Sequence, residues 1–278
     1  MTVAVVTDST SDIPPEVAKE LGITITPLYV QFGKESYRDD NVDISKDEFY
    51  NRLMHDADYP KTSTPNLNDF ITTYTELAKK TKEILSIHIS SGISGTYNIA
   101  VPAAREVEAD CHIELVDSQS TIIGLGLLVI EAAKAAKEGM GLSQLSDMVR
   151  SLVPKTHVLI TFDTIKYLYR GGHASKTQAL LGGALRMNPL VEIKGELLPY
   201  GRVVGRKRAI NALCKYASQF SNPRSLGVEH YLDADDAKLV VERLEQMFPG
   251  VTIYTSTVGA VVGAHTGPHA LDVAILEG

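Results

Sequence analysis

Hydrophobic positions along the chain fall into short β-rich runs that alternate with stretches of helical period. VAVVTDS (residues 3–9) is the first run and ends in polar residues. Pro14-Pro15 then opens a helical stretch, PPEVAKELG, which Gly22 closes. ITITPLYVQF alternates and predicts one second strand. In ISKDEFYNRLMHD, Ser45 stands as N-cap with Glu48 three residues on, the spacing of a capping box. A helix is expected over roughly 67–80. EILSIHIS reads as a strand, and a helix from Ser94 onward puts Tyr97, Ala100, Val101, Ala104 and Val107 on one face. Pro102 lies inside it and should bend it. HIELVDS is a strand. Residues 121–137 predict a helix so rich in small and apolar residues that it is buried on most sides.

A boundary is expected near 139–154, after which HVLITFDTIKYLYRGG begins a new unit. MNPLVEIKGELLPYGRV predicts a hairpin turning at Lys194-Gly195. A helix over about 207–220, the strand SLGVEHYL, the helix ADDAKLVVERLEQMF and the strand VTIYTST follow. GAVVGAHTGPHALDVAILEG predicts a glycine-rich turn region and a last strand, ALDVAIL. The alternation implies an α/β protein of two α/β domains, 1–150 and 151–278. The first holds a largely parallel sheet, and a ligand cleft lies between the two.

Composition narrows the classes. The 278 residues are 44% hydrophobic and carry a net charge of −7, which supplies a real core and no broad basic face for nucleic acid. MTVAVVTDS has no basic flank or long apolar region, so it is expected to be a strand and not a signal peptide. The longest apolar stretch, 122–133, is interrupted by Glu131 and too short to span a bilayer. A cytoplasmic protein is expected. Cys111 and Cys214 have no CxxC or metal spacing and read as reduced, buried thiols.

Three strands end in Ser/Thr-rich loops: TDST, SSGISGT and VDSQS. In a parallel sheet those ends face the ligand, which predicts a shared polar rim. A hydrolase elbow would need G-x-S-x-G, but Gly92-Ile93-Ser94-Gly95-Thr96 has Thr at the last position. His265 and His269 are four apart, yet Gly267-Pro268 breaks the helix that would align them on a metal, so no metal is expected. No G-x-x-x-x-G-K-[ST] is present, and GLGLLV lies within a helical run. An anion held by neutral donors remains. KTSTPN (61–66) offers Thr62, Ser63 and Thr64, although taken alone it reads better as an ordinary helix N-cap, as does Ser94. With Thr96 and His265 these would surround a carboxylate if the fold brings them together. RVVGRKRA gathers Arg202, Arg206, Lys207 and Arg208, a docking surface or a solvated helix start.

The order TDS (7–9), TSTPN, SSGISGTYN, VDS (Asp117, Ser118), YLYRGGHAS (167–175) and GAHTGPHALDVAI resembles the DegV family of fatty-acid-binding proteins over nearly the whole chain. The resemblance implies a two-domain α/β protein with one long-chain fatty acid buried between the domains and no other cofactor. It implies a binding subunit without activity of its own. A separate fatty acid kinase would phosphorylate the bound carboxylate, and the acyl phosphate would enter phospholipid synthesis. By the same resemblance Thr62, Ser63, Ser94 and His265 hold the carboxylate, with Arg170 near the head group. Arg202 corresponds to a basic residue that faces the phosphate after transfer. Transient contact with a membrane surface fits the same picture. Three departures stand out: TSTPN where TSQPS is usual, His173 in GGHAS, and His269 in GPHALDVAI. Stretches 122–136 and 179–190 are the candidates for lining an aliphatic tunnel. A serine-type acyl ester hydrolase using Ser94 and His265 is the alternative.

Overall fold

The computed structural model describes residues 3–173 and 187–278. In chain order the first part runs β1 (Ala4–Asp8), α1 (Pro15–Leu21), β2 (Thr24–Thr26), β3 (Tyr29–Phe32), β4 (Glu35–Arg38), α2 (Lys46–His55) and β5 (Lys61–Ser63). It continues with α3 (Leu67–Ala78), β6 (Glu83–His88), α4 (Thr96–Glu106), β7 (His112–Asp117), α5 (Ile122–Lys137) and α6 (Leu142–Leu152). Beyond these come β8 (Thr156–Thr161), α7 (Lys166–Leu168), β9 (Met187–Lys194), β10 (Glu196–Val204), α8 (Arg206–Ala217), β11 (Pro223–His230), α9 (Ala234–Met247), β12 (Thr252–Thr257), α10 (Ala260–Thr266) and β13 (Leu271–Glu277).

The fold is mixed α/β with three sheets. A four-stranded parallel sheet has the order β2-β1-β6-β7. A six-stranded sheet, β10-β9-β8-β13-β11-β12, is antiparallel except for the pair β11–β12. A small antiparallel sheet, β4-β3-β5, accompanies them.

Three expectations need correction. ITITPLYVQF is two strands in two sheets: Thr24–Thr26 pairs with β1 and Tyr29–Phe32 pairs with β4 and β5. Pro27 stands between them and has no N–H for a ladder, so the chain changes sheets there. TSTPN is not simply a cap. Lys61–Ser63 is strand β5, and the capping is done by Asn66, which exchanges bonds with Asp69 in a full capping box. The glycine-rich tail is helical over Ala260–Thr266, with glycines at both boundaries. The stretch 139–154 holds α6, whose Leu142, Leu145 and Val149 join the core beside the parallel sheet.

Helix α5 occupies the centre. All of it except Lys134 and Lys137 is buried. Leu125, Val129 and Ile130 enter the core against the parallel sheet, while Ile122, Ile123, Leu127 and Leu128 enter the core against the six-stranded sheet. Close approach requires glycines. A Cβ on Gly126 would stand 2.5 Å from the Ser11 carbonyl oxygen, and one on Gly227 of β11 would stand 2.5 Å from Ile123. The start of α5 has no side-chain cap from Thr121. The Glu229 carboxyl, from β11, takes the Ile123 amide instead. Glu229 pairs directly with Asp272 across β11 and β13, and both are fully buried. Burial, with the Asp272 charge adding to it, pushes the Glu229 carboxyl well above its usual range; burial does the same to Asp272.

Gly126→Ala and Gly227→Ala should each cost about 1–3 kcal/mol by overpacking. Gly201→Ala, where no heavy atom lies within 4 Å of the added Cβ, should be close to neutral in the same urea titrations. Equal midpoints for all three would show that α5 is not packed this tightly. The buried acids set a pH dependence. Their native state keeps protons that the unfolded chain releases, so the stability they contribute is complete below the ordinary values of 3.8 and 4.5. It is lost as pH rises through the elevated values. Asp272→Asn should flatten that decline, read as the parent-minus-variant difference in unfolding free energy from pH 5 to pH 8.

Candidate functional site

The parallel strands β1, β6 and β7 all end facing one cavity of about 230 Å³. Each is followed by a hydroxyl that borders it: Thr10 after β1, Ser94 after β6, Thr121 after β7. This is where an α/β sheet places ligands. The opposite wall comes from the six-stranded sheet through Ile160, Val191 and Ile193, with Phe162 just past the end of β8. Of 122–136, Ile122 is the residue that borders the cavity among those described; the remainder fills the cores on either side. Residues 179–186 and the His173 side chain lie outside the described structure.

A third wall joins β5 to α10, contributing Thr62, Ser63, Val261 and His265. Thr62 is fixed because Val30 of β3 pairs with it across the small sheet. Helix α10 packs on that same sheet, with Ala260, Val261 and Ala264 in one core cluster with Leu28, Val30 and Phe49. The result is a hydrogen bond of 3.0 Å between Thr62 Oγ1 and His265 Nε2, across 203 positions of sequence. Gly171 packs against the imidazole: a Cβ there would come within 2.8 Å of Cε1. The Ser94 turn reaches the same region, since a Cβ on Gly95 would stand 3.8 Å from the Thr64 methyl. Ser94 Oγ shares a hydrogen bond of 2.9 Å with Thr96 Oγ1 and accepts the Thr96 N–H at 3.3 Å.

The Thr62–His265 pair also borders a second cavity, of about 540 Å³, with Lys61, Arg170 and Tyr59 on its walls. The pair thus divides an aliphatic chamber from a basic one. The exposed Arg170 guanidinium sits 5.3 Å from the centre of the Tyr59 ring. Arg202 is exposed on β10, opposite Pro189, and lines neither cavity. The expected four-cation surface shrinks. Arg206 is engaged by Asp236 at 2.7 Å and Asp233 at 2.8 Å, leaving Lys207 and Arg208 exposed beside Arg202. His269 belongs to that cluster, with Nδ1 3.1 Å from Asp233.

Sequence reasoning missed one arrangement. Asp8, His88 and Ser86 form a line of hydrogen bonds, Asp8 Oδ2 to His88 Nδ1 at 2.9 Å and His88 Nε2 to Ser86 Oγ at 2.7 Å, continued to Tyr74 at 2.9 Å. The geometry imitates a catalytic triad, yet all four side chains are fully buried. Its task is local. Asp8 also accepts the amides of Thr10 and Ile89 and the Thr10 hydroxyl, which pins the loops that carry the rim. Period-two alternation in EILSIHIS shows a strand but not what its His touches. Among the described residues, Thr62 bonds His265 and Ser94 bonds Thr96, and no Ser94–His265 bond of the kind the hydrolase alternative requires joins them. Among the described residues no group of three or more His, Cys, Asp or Glu is placed to hold a metal ion.

Asp8→Ala strands four buried donors and should lower unfolding free energy by about 3 kcal/mol or more. Guanidinium unfolding checks this; a loss under 1 kcal/mol would mean water or a neighbour replaces the carboxylate.

Residues 2–278 match the model of a family described as "Uncharacterised protein, DegV family". A DegV domain-containing protein of Caldanaerobacter subterraneus subsp. tengcongensis is 33% identical over 275 residues, covering 98% of this chain and 97% of that one. The crystal structure of DegV from Bacillus subtilis, described as a fatty acid binding protein, superposes with a TM-score of 0.89 at 30% identity over 100% of both chains. A DegV family protein of Thermus thermophilus, whose structure is described by its fatty acid binding, gives the same TM-score of 0.89 and 30% identity, again over both whole chains. With a family model spanning 2–278 and relatives matched over nearly their full length, this chain belongs to the DegV family.

Proposed function

We propose that the protein is a carrier that binds a long-chain fatty acid in the aliphatic cavity and presents its carboxylate at the Thr62–Ser94–His265 wall. The observation that carries this reading is the wall itself: neutral donors stand where a chamber lined by Ile160, Val191 and Ile193 meets a basic one. The description of the B. subtilis and T. thermophilus relatives as fatty acid binding supports it. A buried acyl chain contributes about 0.8 kcal/mol per CH₂, so an acid of ~16 carbons gains on the order of 10 kcal/mol gross before its head group is counted. The carboxylate still needs donors, since an unpaired buried charge costs several kcal/mol. Hydroxyls and an imidazole provide them and leave an oxygen free to react, which a bidentate guanidinium clamp would not.

The carboxylate is then phosphorylated by a separate fatty acid kinase that brings its own nucleotide. In this reading Ser63 supports the rim, Arg170 and Lys61 stabilise charge in the outer cavity, and Arg202, Lys207 and Arg208 face the kinase or, transiently, an anionic membrane surface. The acyl phosphate feeds phospholipid synthesis. Residues 1–150 and 151–278 act as two units that enclose the chain, in a cytoplasmic protein with two free, buried thiols.

Mass spectrometry of solvent extracts of the purified protein should find one fatty acid per chain. Thr62→Ala and Ser94→Ala should each weaken retention about ten- to a hundredfold, the loss of one hydrogen bond to a charged group. His265→Ala should keep its lipid, since chain burial dominates binding, but lose most kinase-dependent acyl phosphate, because orientation of the attacking oxygen enters the barrier directly. Lipid-free protein, or ester hydrolysis by the protein alone, would overturn the carrier reading.

A further inference from the structure

Helix α10 carries His265 near its C-terminal end, and its first amides are held by acids from the opposite end of the sequence. Asp39 Oδ1 accepts the Ala260 N–H at 3.0 Å and Oδ2 accepts the Val261 N–H at 3.3 Å. Asp12 Oδ1 accepts the Gly259 N–H at 2.8 Å. Asp39 is itself tied down. Its N–H donates to the Leu28 carbonyl at 2.8 Å, and Ser9 Oγ donates to its Oδ2 at 3.1 Å while accepting the Leu28 N–H at 3.1 Å. Both acids are more than nine-tenths buried, at 7% and 9% exposure.

The fit is close. A Cβ on residue 259 would meet Asp12 Oδ1 at 2.7 Å and Asp39 Oδ2 at 3.2 Å, so glycine is required there. Asp12 takes a left-handed backbone, φ 45°, which is strained for an L-residue. One exposed Ser or Asp would cap a helix well enough. Two buried carboxylates are an expensive substitute: burial pushes both upward, with Glu229 adding to the effect on Asp12 and the α10 amides opposing it on Asp39. Stability alone does not account for them. What they provide is position. Seven residues are too few for a helix to hold its own place, so outside contacts decide where α10 lies. Tyr50, donating to the Val258 carbonyl at 3.2 Å, and Tyr59, donating to that of Ala264, act in the same direction.

We propose that Asp39 and Asp12 are positioning residues for the head-group wall: their hold on the amides of residues 259–261 sets where α10 lies against β5, and with it the Thr62–His265 contact. The proposal rests on the reading that this contact receives a carboxylate. Its test follows the ring and the ligand separately.

Full-length protein, ¹⁵N-labelled in histidine, is compared with and without palmitate carrying ¹³C at the carboxyl. Asp39→Asn leaves one carbonyl acceptor for two amides, and Asp39→Ala leaves none. Both should retain palmitate, with release accelerated up to about tenfold. Both should shift or broaden the His265 ring signals and the carboxyl ¹³C line, Ala more than Asn. Cys214→Ala, a buried change in a distant core cluster, should lower the melting temperature and leave those signals in place. If Asp39→Ala melts early but its His265 and carboxyl signals match the parent, the acids are structural caps and the proposal fails. Should the Ala variant not fold, the Asn variant decides by the same signals. A parent protein that takes up no palmitate overturns the carrier reading instead, and the His265 signals of the ligand-free variants still decide the positioning role.

Discussion

The meeting of the two larger sheets follows from the need to cover helix α5 on both sides. A helix apolar around most of its circumference, with only Lys134 and Lys137 reaching solvent near its C-terminal end, needs cover on two sides, and two sheets supply it. Small residues at Gly126 and Gly227 let backbone and Ile123 approach to contact distance. The parallel sheet and the six-stranded sheet therefore meet around one shared element, and the cavity opens at its first turn, where Thr121 and Ile122 border it. The cavity is the part of the seam that side chains leave unfilled.

The polar end of that seam is built from parts that are weak individually. Thr62 is held by a strand ladder, His265 by a short helix, and Ser94 by a turn that bonds back to Thr96. Among the described residues, neither Thr62 nor Ser94 is clamped by a charged partner in the manner of Arg206 among its aspartates. In the proposed carrier reading this division has a use. Affinity comes from burying methylene groups, which is strong and non-directional. Direction comes from a few neutral donors, which set an orientation without gripping both carboxylate oxygens. Arg170 stands in the outer chamber, on the far side of the Thr62–His265 pair from the aliphatic cavity.

The cost appears elsewhere. Asp12, Asp39, Glu229 and Asp272 are buried acids whose carboxyls are pushed up by desolvation, and each serves or adjoins a helix start at the junction of the sheets. Such groups lower stability near neutral pH relative to apolar replacements. Their persistence at the junction fits a demand for fixed geometry between elements distant in sequence.

Several features were legible from residues alone. Hydroxyl-rich loops after β1 and β6 marked the edge of the cavity, whereas after β7 it is Thr121, just past VDSQS, that borders it; the composition of 121–137 marked the buried helix, and the spaced motifs marked the family. All of these are local: they depend on what a segment is, and periodicity records which face of it is apolar. Tertiary structure decided the rest. It split ITITPLYVQF between two sheets at Pro27, turned the tail before β13 into a helix, removed Arg206 from the basic surface, and buried Asp8, His88 and Ser86 as a network. It also chose Thr62 as the partner of His265. A one-dimensional pattern states that a face must be covered but not by which element, and contacts 203 positions apart are settled only when the sheets have closed on α5.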